Sequence, residues 1–117
     1  MLIYTVGASS QTNIHWQKIF GGSDFELTQA VNRTADGGSI IAGTSYSTDG
    51  DIPMNKGVCD VLIAKLSSDG TIEWKRNYGG SDEDGAYSIE QTMDGGYVFC
   101  GYTKSNDGDV HDQHGIA

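Results

Sequence analysis

Apolar and polar residues alternate along most of this chain in runs too short for helices, and glycine and aspartate punctuate them at regular intervals. Four runs rich in β-branched and aromatic residues stand out, at Thr28–Thr34, Ser39–Ser45, Asp60–Leu66 and Thr71–Tyr78. Asp36-Gly37-Gly38 joins the first two and Ser67-Ser68-Asp69-Gly70 the last two, and both segments supply the positive-φ positions that tight hairpins need. Two hairpins are therefore expected. Between them lies a loop at Tyr46–Val58, long enough by ordinary connection lengths to suggest a ligand or a function. No segment shows an apolar period of about 3.6 residues over a helical length.

The pattern occurs twice. The sequence aligns with itself at an offset of 58 residues without a gap. Trp16 falls on Trp74, Gly21-Gly22-Ser23-Asp24 on Gly79-Gly80-Ser81-Asp82, and Thr34-Ala35-Asp36-Gly37-Gly38 on Thr92-Met93-Asp94-Gly95-Gly96. Gly43 meets Gly101, and Ser47-Thr48-Asp49-Gly50-Asp51 meets Ser105-Asn106-Asp107-Gly108-Asp109. The chain thus divides into two units, residues 1–58 and 59–117. Four strands, this unit length and one tryptophan per unit suit an all-β fold of four-stranded antiparallel β-propeller blades. A closed ring takes about 4–8 blades, so two units predict a ring completed by oligomerisation or by a longer parent. In that strand order one whole blade runs from Thr28 to Tyr78, Leu2–Phe20 match two outer strands, and Ala86–Thr103 match two inner ones. The expected assembly is a head-to-tail homo-oligomer, a trimer or a tetramer, in which the N-terminal hairpin of one chain completes the C-terminal blade of the next.

These residues resemble the β-propeller repeats of large secreted or surface-attached bacterial proteins, common in the Bacteroidetes. The resemblance rests on Asp60-Val-Leu-Ile-Ala-Lys65-Leu66, Gly70-Thr-Ile72-Glu-Trp74-Lys75, Gly79-Gly80-Ser81 with Asp84 and Ala86, Thr92-Met-Asp94-Gly95-Gly96-Tyr97, and Gly101-Tyr-Thr103-Lys-Ser105-Asn-Asp107-Gly108-Asp109-Val110. Two departures stand out: Leu62 replaces the family's usual aromatic, and the first unit begins Met1-Leu2-Ile3-Tyr4 without the opening aspartate. Such repeats have no single activity. The resemblance implies an extracellular or cell-surface location, although Met1–Ser10 does not read as a signal peptide.

Composition narrows the partners. The chain has 117 residues and a formal net charge of −9, so phosphate backbones would repel it and nucleic acid is not an expected partner. No apolar run approaches the ~18 residues of a membrane span, so membrane insertion is not expected either. Seventeen glycines and a single proline favour turns and strands. Cys59 and Cys100 fit neither a metal spacing nor a disulfide framework and are expected to be buried as small apolar residues.

Candidate chemistry is sparse. Asp49, Asp51, Asp107 and Asp109 flank glycines in the long loops, and alternate carboxylates of that kind can wrap calcium, although the spacing is not an EF-hand. The competing reading is consecutive turns. His111-Asp112-Gln113-His114 lacks a defined zinc ligand set and has no counterpart in the first unit. Asp82, Glu83 and Asp84 have Asp24 and Glu26 as counterparts and are expected to serve the turn. Trp16 and Trp74 are expected to pack between blades; exposed, they would form a sugar platform. No Ser-His-Asp arrangement, P-loop or Rossmann fingerprint is present, so no catalytic residue is expected. The expected function is a non-enzymatic scaffold or interaction module. The alternatives are a calcium-dependent or carbohydrate-binding surface module, with a glycan or surface protein as partner, and a hydrolase with a composite site at the ring centre.

Overall fold

The computed structural model describes residues 2–6, 16–24, 26–50, 55 and 57–109, without the side chains of 2–6 and 16–20. Eight strands follow one another: β1 (Leu2–Val6), β2 (Trp16–Phe20), β3 (Glu26–Arg33), β4 (Ser39–Ser45), β5 (Asp60–Leu66), β6 (Ile72–Tyr78), β7 (Asp84–Gln91) and β8 (Tyr97–Thr103). They form a four-stranded antiparallel sheet in the order β3-β4-β5-β6, with a two-stranded sheet, β1-β2, before it in sequence and another, β7-β8, after it. The fold is all-β: no helix occurs among the described residues, so none is long and apolar enough to cross a membrane. β4 and β5 occupy the expected bounds. β3 starts two residues before the expected Thr28, because Glu26 still pairs with Ser45 beyond a bulge.

The turn chemistry is local and repeats in the β3-β4 and β7-β8 hairpins. Gly37 and Gly95 each adopt a φ of 86°, a left-handed conformation that costs a residue with a side chain about 1–2 kcal/mol. Within each turn a short bond runs from the glycine amide to a threonine carbonyl, Gly37 to Thr34 and Gly95 to Thr92, each 3.1 Å. The bulges repeat as well, between Thr28 and Ala30 opposite Ala42–Gly43 and between Ala86 and Ser88 opposite Cys100–Gly101. At both, a Cβ on the facing glycine would come within 2.0 Å of a backbone oxygen, that of Leu27 for Gly43 and that of Gly85 for Gly101. Glycine is what lets the bulged strand approach.

β4 and β5 are buried along their whole length, since each has a strand on either side and packing on its faces. Ile40, Ala42, Val61 and Ile63 form one cluster with Ala86 and Ile89, so β7 of the following sheet closes the core. Burying such a side chain contributes roughly 1.5–3 kcal/mol. Polar bonds stitch the same seam. The Asn32 amide donates to the Ile89 carbonyl at 2.6 Å, the Ala35 amide to Gln91 Oε1 at 2.8 Å, and the Asp84 amide to the Cys59 carbonyl at 2.9 Å. Lys65 is buried in β5, yet its ammonium is satisfied by Asp36 at 3.0 Å, Glu73 at 3.4 Å and the Leu66 carbonyl at 2.8 Å.

Two expectations change. Cys59 is buried as expected, but Cys100 is exposed. The reason is its strand: Ala42, its counterpart in β4, is covered by β5, while β8 pairs only with β7 among the described residues. Trp74 is half-buried rather than fully packed, lying edge-on to Tyr97 at 5.7 Å between ring centres. The side chain of Trp16 lies outside the described residues.

Candidate functional site

The best-formed polar constellation joins the loop after β6 to the loop after β8. Four consecutive amides, from Gly79 to Asp82, each donate to a side chain: Gly79 to Asp109 Oδ2 at 3.1 Å, Gly80 to Asp84 Oδ2 at 2.9 Å, Ser81 to Asp107 Oδ1 at 2.7 Å, and Asp82 to Ser105 Oγ at 3.0 Å. Asp84 is the centre of this clasp. It is buried, and besides Gly80 it accepts the hydroxyls of Ser105 at 2.7 Å and of Thr103. A buried carboxylate holding three donors is satisfied as physical chemistry requires, and removing it would strand the Gly80 amide and the Ser105 hydroxyl.

The first loop pair carries the same arrangement at the 58-residue offset. Ser23 donates to Asp49 Oδ1 at 2.8 Å, Asp24 to Ser47 Oγ at 3.0 Å, and Gly22 to Glu26 Oε2 at a longer 3.4 Å. Glu26 is buried in the place of Asp84 and accepts Ser45 Oγ at 3.1 Å. Burial pushes the Glu26 carboxyl up, but its hydrogen bonds, led by Ser47, together hold it below its ordinary value. The Ser23 amide and side chain likewise hold Asp49 low.

Asp49 and Asp107 thus each accept from a serine amide in the preceding loop, and Asp109 accepts from Gly79. Asp51 lies outside the described residues, as do His111, Asp112 and His114. Among the described residues no three histidine, cysteine, aspartate or glutamate side chains converge. Glu83, from the acidic trio, pairs with Lys104 at 2.5 Å. The role of Glu26 and Asp84 as buried keystones was visible in sequence only as an acid recurring at one offset; its burial depends on strands folding over it.

A second feature lies between β6 and β8. A cleft of about 310 Å³ is lined by Val61, Tyr78, Asp84, Phe99, Tyr102 and Thr103. A hollow of about 390 Å³ is bounded by Ile63, Trp74, Arg76, Tyr78, Tyr97 and Phe99. Tyr78 and Phe99 stand 5.7 Å apart between ring centres, and Arg76 lies 6.0 Å over the Trp74 ring. Burial and the neighbouring Cys59 push the Tyr102 phenol up to about 12, so it serves here as a neutral group. The walls of the hollow are largely aromatic, with Arg76 at its rim, and Phe99 is exposed there.

No protein-family model matches the chain, and no curated protein matches it significantly.

Proposed function

We propose that this chain is a non-enzymatic β-propeller module, a scaffold that holds its loops rigid at one end of a ring of blades for a partner to read. The observation that carries the reading is the recurrence, at one offset, of the same hairpin register, the same bulge and the same carboxylate clasp, in an order that leaves one four-stranded sheet between two halves. Repetition of one unit packed sheet against sheet is what radial β-architectures are built from, and a propeller needs more units than two. The clasps support a presenting role, since they tie four consecutive loop amides to side chains of the neighbouring loop and strand. Its place at the cell surface or outside the cell follows from the resemblance of the repeats.

A concatenated gene encoding six units in one chain tests the architecture. Electron microscopy of the product should show a closed ring with a central channel; an extended rod would overturn the propeller reading. Hydrolysis of a glycoside or ester by that ring, lost in Asp84→Asn, would overturn the non-enzymatic part.

A further inference from the structure

β4 and β8 occupy equivalent positions 58 residues apart, yet Ile40 and Ile41 are 0% and 2% exposed while Val98 and Phe99 are 52% and 36% exposed. β4 is covered because β5 pairs with it, Ala42 opposite Ile63 and Gly43 opposite Leu62. β8 has no such strand neighbour among the described residues, and its outer edge from Tyr97 to Tyr102 carries no lysine or proline to blunt it. At the repeat offset, the segment corresponding to β5 and β6 is β1 and β2. β1 also stands beside β3 as β5 stands beside β7, so the N-terminal hairpin already has the placement of an outer pair. Among the described residues, β1 and β2 thus have no inner partners in their sheet, and β7 and β8 have no outer ones.

The geometry points to β1 of a second copy of this chain as the strand that pairs with β8, giving the sheet order β7-β8-β1-β2 across two molecules. The inference rests on the propeller reading for closure of the ring. By the register of β4 on β5, Cys100 comes opposite Thr5 of the second copy and Gly101 opposite Tyr4. The incoming hairpin lies over Trp74, Tyr78, Tyr97 and Phe99, the walls of the hollow. The contact is heterologous: the surface used at one end differs from that at the other, so copies add head to tail until the ring shuts. With −9 on every chain, like charges oppose the assembly, and added salt strengthens it.

The native Cys100 supplies the test. Residues directly opposite in antiparallel strands have Cα atoms about 4.5–5.5 Å apart, within disulfide range. In Thr5→Cys, oxidised glutathione should take up the electron pair and protons of the Thr5→Cys and Cys100 thiols and leave a disulfide between molecules, read on a non-reducing gel as a ladder ending in a closed trimer or tetramer. Buried Cys59 does not compete. Gln17→Cys, on the far strand of the hairpin, should give no ladder. Light scattering on the unmodified chain should show a multiple of the chain mass, with maleimide labelling of Cys100 slowing as concentration rises. A monomer at all concentrations and salts with Cys100 freely labelled overturns the inference, as does an oligomer in which Thr5→Cys does not link. A monomer whose tryptophan fluorescence is quenched by soluble glycans also overturns it and assigns the hollow to sugar. A ring from the six-unit concatemer beside a monomeric parent chain separates failure of this inference from failure of the propeller reading.

Discussion

β4 and β8 share a register, a bulge and a following clasp, and differ in almost everything that burial controls. Side-chain pattern alone would place Val98 and Phe99 in a core as surely as Ile40 and Ile41. What separates them is the strand next door. In a sheet protein built of repeats, the same residues become core or surface according to whether the neighbouring unit is in place, because each unit contributes only half the cover its own strands need.

The largest test of that contrast is a matched pair of truncations. Ile40→Ala should destabilise the dilute chain by about 2–5 kcal/mol, as buried large-to-small changes do, whereas Val98→Ala should stay within about 0.5 kcal/mol. Urea melts at low concentration measure both, and equal losses would mean that β8 is covered after all. The clasps give a second pair. Asp84→Ala strands the Gly80 amide and the Ser105 hydroxyl, and at ~1–3 kcal/mol for each buried unsatisfied group should lower stability by roughly 3 kcal/mol overall. Glu26→Ala should do less, since its bond from Gly22 is longer at 3.4 Å. The reverse order would show that the first loop pair is the tighter.

A third pair should erase the contrast. Gly37→Ala and Gly95→Ala meet no close atom and differ from wild type only through their φ of 86°, so both should cost about 1 kcal/mol. Unequal losses would mean that the turns feel the neighbouring sheets. The smallest effect concerns Asp36 and Asp94. The Thr34 hydroxyl, the Gly38 amide and Lys65 hold Asp36 well below the usual carboxylate range, while Asp94 is held low by the Thr92 hydroxyl and the Gly96 amide. Carboxyls lowered in the fold stabilise it above their ordinary value of about 4 and lose that contribution as pH falls through the folded value. Acid melts should therefore show falling stability below about pH 4, with Asp36→Asn removing more of the slope than Asp94→Asn. No difference between the two variants would remove Lys65 from the account.

The strands were legible because alternation and glycine turns are local signals: β4 and β5 fall on their expected bounds, and both turns carry the positive φ their sequence demands. The exposure of Cys100 was not, because it depends on a strand that pairs from elsewhere. Trp74 illustrates the same limit, since the sheet that packs on it has two strands among the described residues rather than four. The pairing of β1 with β2 adds a finer case. Leu2 pairs with Phe20, whereas at the repeat offset Val61, not Asp60, pairs with Tyr78, a one-residue difference in register. Register is held by buried faces, and β1 has a sheet partner on one side only among the described residues. As for the clasps, an acid recurring at one offset marked Glu26 and Asp84, but their burial depends on strands and loops distant in sequence.

The run of amides from Gly79 to Asp82, each held by a side chain rather than by a neighbouring strand, gives the molecule two separate clocks for hydrogen exchange. Strand amides exchange when a sheet opens, while these four exchange when the loop lifts off its carboxylates and its serine hydroxyl. Loop opening and sheet opening can therefore be timed in one experiment on one chain. A partner that grips the loops without touching the strands would slow the first clock and leave the second running.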